Sequence, residues 1–131
     1  MAKEIEMREF IGGSDQCTGG TASASTVYDA SYVAAYAFDN GAAEWCSKPL
    51  TWDAGIGVYT VSEWIAYDFS VPRAVCQIAY TAASSVGGWG AYYSPRDFLV
   101  QYSDDGSNWY TAASFSGYAS WTDGETKLFT I

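Results

Sequence analysis

Two adjacent carboxylates, Asp104 and Asp105, lie in the segment SDDGSN and have the spacing of a catalytic acid pair. Two carboxylates can divide acid and base roles when their surroundings separate the two pKa values. The flanking segments DFLVQYS and WYTAASF, however, both have the residue pattern of β-strands. An Asp-Gly step between two such segments is a strong hairpin signal, in which Gly106 supplies the positive φ. The sequence therefore predicts an exposed turn here, not a catalytic pair.

Histidine is absent from all 131 residues, which removes the commonest general base and the commonest zinc ligand. A Ser-His-Asp or Cys-His arrangement is therefore not available within this chain. The cysteines Cys17, Cys46 and Cys76 have no CxxC spacing, so a zinc knuckle is excluded. One disulfide with a free thiol, or three reduced thiols, remain open, and the second is the simpler interpretation. We expect no enzymatic activity.

The overall composition is that of a globular, aromatic-rich and acidic protein. Apolar residues make up 49% of the chain and aromatic residues 18%, and the net charge is −9. Such a charge repels phosphate backbones and anionic membrane surfaces, so we expect no nucleic-acid partner. No apolar run approaches the ~20 residues that cross a bilayer, so we expect no membrane insertion. The start MAKEIEMREF has no secretory-signal pattern, which predicts synthesis in the cytosol.

Alternating apolar positions place the strands, and their connections place the candidate binding loops. Residues 1–14 are expected to form an N-terminal arm, and residues 15–131 one domain. Strands are predicted in WIAYDFS, AVCQIAYTA, DFLVQYS, WYTAASF and KLFTI, with long loops at 47–63 and 83–95. The expected core residues are Trp45, Trp64, Phe98 and Trp109. Arg96 is expected to pair with a carboxylate such as Asp68.

The ordered set of motifs resembles the discoidin-like family, also called F5/8 type C or galactose-binding-like domains. The resemblance rests on the AFDN loop that leads to Trp45, the WIAYDF strand, and the hairpin running from SPRDF to SDDGSNW. It covers roughly residues 20–131 and implies an all-β, jelly-roll β-sandwich. Family members usually continue for further strands, so the fold is expected to lack its last strands unless a neighbouring chain supplies them. The arm at 1–14 is a candidate for such strand addition.

The resemblance also implies a structural calcium site in the loop that contains Asp39, Asn40 and Gly41. Related carbohydrate-binding modules hold calcium there with an Asp, several carbonyls, a Thr and a late Glu. Asp39 matches the Asp, but the Thr position falls near Ala43 and the late Glu has no counterpart. The alternative interpretation is that Asp39 caps its loop by accepting backbone N–H bonds.

Ligands of the family are met by loops at one end of the sandwich, and the corresponding loops of this chain are rich in aromatic residues. Aromatic rings stack on the apolar faces of sugars, and Tyr and Trp add a polar group. Trp89 is the most suggestive, because it lies in GGWG with little to pack against. The complete set of predicted ligand-binding residues is Tyr32, Trp52, Asp53, Tyr59, Trp89, Tyr92 and Tyr93, and the same loops also carry Tyr28.

The segment SWTDGETKLFTI gives this chain its greatest similarity to the copies found in bacteriophage tail and fibre proteins. The sequence therefore predicts a homo-oligomeric virion protein of a tail, fibre or capsid decoration that binds carbohydrate or another host-surface ligand. The expected location is the virion surface, or alternatively the extracellular space. The alternative function is a purely structural virion or filament subunit, whose loops and arm contact neighbouring subunits.

Overall fold

The computed structural model describes residues 15–48, 51–55, 58–60, 63–84 and 93–131. The chain forms two compact units, Met1–Val71 and Pro72–Ile131. In both units the described strands pair in antiparallel twos. The predicted all-β architecture is therefore confirmed, whereas the predicted arm at residues 1–14 lies outside the described residues.

The first unit contains two strand pairs and a short 3₁₀ helix. Strand β1 (Thr21–Ala24) pairs with β4 (Ile65–Asp68), so that Thr21 is opposite Asp68 and Ala24 is opposite Ile65. The 3₁₀ helix spans Ala34–Ala37. Strands β2 (Thr51–Asp53) and β3 (Val58–Thr60) pair with each other. The sequence predicted a long loop at 47–63 and missed these two strands, because three-residue strands are too short to give a periodic signal.

Tyr67 is the side chain around which β1 and β4 come together. A Cβ atom at Gly20 would lie 2.0 Å from the carbonyl oxygen of Asp68 and 2.6 Å from the Tyr67 ring, so only glycine fits there. The Gly20 N–H instead donates a 2.9 Å hydrogen bond to the Tyr67 hydroxyl. The same ring packs against Phe38 and Phe69, with ring centroids 5.0 and 5.2 Å away. The entry to β1 is therefore fixed by one tyrosine that is polar at its tip and apolar along its ring.

The second unit contains the strands that the sequence predicted best. Strand β5 (Gln77–Thr81) pairs with β8 (Thr126–Thr130), from Gln77 opposite Thr130 to Thr81 opposite Thr126. Strand β6 (Phe98–Tyr102) pairs with β7 (Tyr110–Phe115) through the predicted hairpin. The register between β6 and β7 shifts at Val100/Gln101, where β7 carries one extra residue.

An aromatic core holds the second unit together. Phe129 and Trp121 are only 2% and 4% exposed, and Ala82 is buried beside them. The ring centroid of Phe129 lies 4.9 Å from that of Phe98 and 5.0 Å from that of Phe115. The indole N–H of Trp121 donates to the carbonyl oxygens of Pro95 and Tyr118, both at 3.0 Å. The buried indole is therefore satisfied as well as packed.

The prediction of a core position was wrong for two of the four residues. Trp64 and Trp109 are 52% and 51% exposed. Trp64 immediately precedes β4, and Trp109 immediately precedes β7. At these strand ends the sheet face no longer covers the side chain. Phe98 packs against the core as predicted, and Trp45 is half-buried. Arg96 pairs with a carboxylate as predicted, and its partner is the adjacent Asp97, at 3.6 Å.

Replacing Phe129 with alanine should destabilise the second unit by about 3–5 kcal/mol, because it removes a ring packed on all sides. Urea unfolding followed by tryptophan fluorescence measures the change. Leu128→Ala is the matched control, since Leu128 neighbours Phe129 on β8 but is 62% exposed, and it should change stability by less than about 0.5 kcal/mol. Equal losses in the two variants would show that Phe129 is not the centre of this core.

Candidate functional site

The predicted hairpin tip is a hydrogen-bonded turn built on one of its two carboxylates. Asp105 Oδ1 accepts the backbone N–H groups of Ser107 and Asn108, each at 2.8 Å. Its Oδ2 accepts the Asn108 side-chain amide at 2.7 Å, and Gly106 has a φ of 70°. These bonds, the backbone N–H of Asn108 foremost, hold the pKa of Asp105 far below its usual range. Such a carboxylate stays ionised at neutral pH, so it does not serve as a general acid.

The loops of the first unit are tied together by Thr26 and Glu63. The hydroxyls of Ser25 and Thr26 both donate to Glu63 Oε2, and the Thr26 bond is 2.7 Å long. Thr26 Oγ1 also accepts the Lys48 backbone N–H at 3.1 Å, and its carbonyl oxygen accepts the Trp45 indole N–H at 3.0 Å. Segments around residues 25, 46 and 63 are thereby joined at a single threonine.

The Ser25 hydroxyl, followed by that of Thr26 and by the charge of Lys48, lowers the pKa of Glu63. No partner of Glu63 could be predicted from the sequence, because its two hydroxyl donors lie 37 and 38 positions earlier in the chain. Only the pairing of β1 with β4 brings these positions together. Glu63 is therefore a residue that positions loops and that the sequence pattern could not reveal.

Tyr28 and Tyr32 form an aromatic pair on this framework. Their ring centroids are 5.8 Å apart and their planes are 86° apart, so one ring meets the other edge-on. Tyr28 is 54% exposed, whereas Tyr32 is half-buried. The Tyr28 N–H donates to the carbonyl of Cys46 at 2.7 Å, and the Tyr32 N–H donates to the carbonyl of Asp29 at 3.1 Å. The more exposed ring is thus held in place by its partner and by its backbone.

The other predicted ligand-binding residues are placed only in part. Tyr93 belongs to the second unit and is exposed. Trp52 and Asp53 lie on β2, and Tyr59 lies on β3 directly opposite Trp52 in the hairpin. Trp89 and Tyr92 lie outside the described residues. Among the predicted ligand-binding residues of the first unit, Tyr32 is therefore the one whose side-chain contacts can be described. Its ring contacts that of Tyr28.

The loop predicted to hold calcium contains a different set of bonds. Asp39 Oδ1 accepts the Gly41 N–H at 2.7 Å, and this is the bond that the capping interpretation of Asp39 predicts. The Asn40 side-chain amide donates to Asp15 Oδ2 at 2.7 Å. Calcium takes six to eight oxygens, and no group of three Asp, Glu, Cys or His side chains gathers anywhere in the part of the chain that the structure describes. Side chains alone do not complete such a site, and calcium binding at Asp39 stays a prediction.

The three cysteines are unpaired in the described structure. Cys17 and Cys46 are half-buried and Cys76 is exposed. Burial is the main cause that raises the pKa of both the Cys17 and the Cys46 thiols, and nearby carboxylates add to it.

A family model for the F5/8 type C domain matches residues 21–131. This match spans most of the chain and both compact units, so the protein belongs to the F5/8 type C, or discoidin-like, family. Domains of this family generally mediate carbohydrate or surface binding and are binding modules rather than enzymes. The predicted fold class, an all-β discoidin-like β-sandwich, is confirmed. No curated protein and no solved structure matches the chain.

Among the described residues, no helix has the length and apolar character of a membrane span.

Replacing Asp105 with alanine should lower the melting temperature by a few degrees, because four donors of the hairpin tip lose their acceptor. Thermal unfolding monitored by circular dichroism measures the change. Asp104→Ala removes the neighbouring carboxylate of the same exposed turn and should leave the melting temperature unchanged. A larger effect from Asp104 would show that the turn does not depend on the Asp105 bonds.

Glu63→Gln should make stability less dependent on pH in the acid range. Because the folded pKa of Glu63 is lowered, its contribution is complete above the unfolded value of about 4.3 and is lost as pH falls through the folded pKa. Melting temperatures of the wild type and the variant should therefore differ at neutral pH and converge as pH falls below the lowered folded pKa of Glu63. Glu44→Gln is the control and should follow the wild-type curve. A constant difference at every pH would contradict this role for the Glu63 charge.

Proposed function

We propose that this chain is a non-enzymatic module that binds carbohydrate or another host-surface ligand through the aromatic loops of its first unit. The observation that carries the proposal is the Tyr28–Tyr32 pair, which presents one exposed ring on a hydrogen-bonded loop in a domain of a surface-binding family. A ring held in advance loses little conformational entropy when a ligand stacks on it. Trp52, Asp53 and Tyr59 remain proposed members of this binding surface of the first unit. Trp89, Tyr92 and Tyr93 belong to the second unit and remain proposed ligand contacts in their own right.

The ligand best suited to this surface is neutral and has both apolar and hydroxyl-bearing faces. The Tyr28 ring offers an apolar face for stacking, and its hydroxyl offers a hydrogen bond. Asp29 Oδ1 accepts the Ser31 N–H at 2.7 Å and leaves the second carboxylate oxygen as an acceptor for ligand hydroxyls. The net charge of −9 disfavours sulfated or phosphorylated ligands. An uncharged glycan meets all of these requirements.

We further propose that the module works as one of many copies on a virion, in a tail, a fibre or a capsid decoration. This setting is supported by the likeness of SWTDGETKLFTI to the bacteriophage copies of the family. A single stacking site of this kind binds weakly, and display of several copies raises the avidity by about 10²–10⁴ where the geometry allows. A homo-oligomer is therefore the form in which the proposed binding would be effective.

A second candidate function is a structural subunit that contacts copies of itself. The observation in its favour is a set of exposed large apolar side chains on the strands and hairpin of the second unit. These are Leu99, Tyr102, Trp109, Tyr110 and Leu128. Exposed apolar surface of this kind is typical of subunit interfaces. Under this alternative, substitutions in the second unit change assembly and substitutions at Tyr28 do not.

Replacing Tyr28 with alanine should weaken glycan binding roughly tenfold, because the stacking face is lost. Tyr32→Ala should weaken it as well, because the supporting ring is removed. A glycan array screened with the wild type identifies the ligand, and calorimetry with that ligand compares the variants.

Tyr110→Ala is the matched control, since Tyr110 is exposed to nearly the same extent, 57%, but lies on β7 of the second unit. It should leave glycan affinity unchanged. Gel filtration with light scattering is run on the same three variants. A loss of assembly in Tyr110→Ala, with no glycan bound by the wild type, would support the structural alternative instead.

A further inference from the structure

The Asn40-Gly41 dipeptide is a chemically weak point that the binding function leaves unexplained. It is the chain's one Asn-Gly sequence, and both residues are exposed to solvent. When glycine follows asparagine, the next backbone nitrogen can approach the side-chain carbonyl carbon, because glycine has no Cβ to hinder it. Asn40 also has a φ of 55°, a left-handed conformation that few residues other than glycine adopt. The dipeptide thus joins an exposed amide to an unhindered backbone nitrogen.

We propose that Asn40 is a site of spontaneous deamidation, that hydrogen bonds from Asp15 and Asp39 hold the reaction back, and that the reaction releases residue 15 from the loop. The Gly41 nitrogen loses its proton and bonds to Cγ of Asn40, while the Cγ–Nδ2 bond breaks and ammonia leaves with that proton. Water then adds to one carbonyl of the resulting succinimide and the ring opens. The product is aspartate or isoaspartate, and the step consumes one water and needs no other reactant.

Two carboxylates engage the two nitrogens of this reaction. Asp39 Oδ1 accepts the Gly41 N–H at 2.7 Å, and its negative charge disfavours loss of the proton from that nitrogen. Asp15 Oδ2 accepts the Asn40 side-chain N–H at 2.7 Å, and this bond must break before the side chain can rotate toward Gly41. The rate of deamidation is therefore controlled by how often the Asp15–Asn40 contact opens.

The product of deamidation repels residue 15, whereas the original Asn40 amide attracts it. A carboxylate at position 40 has no proton to donate, so it repels Asp15 where the amide attracted it. The chain gains one negative charge, and the bond that joins residue 15 to this loop is lost. Asp15 Oδ1 also accepts the Cys17 N–H at 2.8 Å, and Cys17 is half-buried. We therefore expect the Cys17 thiol to become easier to label after the reaction.

The chain supplies an internal control, because its other asparagine is Asn108. Asn108 is followed by the bulky Trp109, and its side-chain amide is held by Asp105 at 2.7 Å. Incubation of the full chain near neutral pH, followed by peptide mapping for the amide-to-acid mass change and for isoaspartate, should show conversion at Asn40 well before Asn108. Conversion of Asn40 no faster than Asn108 would overturn the proposal.

Variants test the role of the carboxylates. Asp15→Ala should speed conversion of Asn40 several-fold, up to about tenfold, because one charge-assisted hydrogen bond is removed. Asp15→Asn keeps an uncharged acceptor and should give an intermediate rate. Asp29→Ala is the matched control, since Asp29 caps its own loop in the same unit without contacting Asn40, and its rate should equal that of the wild type. A wild-type rate in Asp15→Ala, or equal acceleration in Asp29→Ala, would contradict control by Asp15.

Two further variants test the chemistry and its consequence. Gly41→Ala should slow conversion strongly, and because its Cβ would lie 2.8 Å from Asp39 Oδ1, the Asp39 side chain must shift to accommodate it. Asn40→Asp mimics one product and should raise the rate at which a maleimide labels Cys17, with Cys76 as the reference thiol in the same map. Unchanged conversion in Gly41→Ala, or unchanged Cys17 labelling in Asn40→Asp, would overturn the corresponding step.

Discussion

One local interaction recurs through this protein, namely an aspartate carboxylate that accepts the backbone N–H two residues further along the chain. Among the described residues it is found at five positions, where Asp15, Asp29, Asp39, Asp68 and Asp105 accept from Cys17, Ser31, Gly41, Ser70 and Ser107. All five bonds are 2.7 or 2.8 Å long. Short strands leave many backbone groups outside any sheet, and these groups must find other partners. The aspartates supply those partners, so the loops have a defined shape without belonging to a sheet.

This arrangement gives the acidity of the chain a structural cause. From composition alone, solubility is a sufficient explanation for the net charge of −9. The structure shows that a large share of the aspartates belongs to turns, and Glu63 and Glu125 are engaged in a similar way. The pKa of Glu125 is lowered mainly by its hydrogen bond to Lys127. These acids are part of the loop structure of their own units, and in the first unit Asp29 and Glu63 belong to the loops that carry the Tyr28–Tyr32 pair.

The parts of the fold that could be predicted from the sequence are those with local signals. The β6–β7 hairpin was predicted correctly because Asp-Gly chemistry and strand alternation occur within a dozen residues. The β2–β3 hairpin was missed because its strands are too short to alternate. Core residues were predicted less well. The buried Trp121 does not lie in an alternating segment, and the exposed Trp64 and Trp109 lie next to strands but not within them. Aromatic type alone does not separate a buried ring from an exposed one when the chain is rich in both.

The candidate site depended on contacts between distant positions, which no single stretch of sequence contains. Thr26 joins the segments near residues 46 and 63, and the backbone N–H of Tyr28 donates to the Cys46 carbonyl. The site therefore exists only once β1 and β4 have paired. The resemblance could indicate which loops bind, but it could not indicate that Glu63 and Thr26 would position them. The same dependence makes the site sensitive to acid, since Glu63 loses its acceptor strength when it is protonated. The loops around Tyr28 are joined in part by the ionised Glu63 carboxylate, so the stability of this loop framework should decline as Glu63 is protonated.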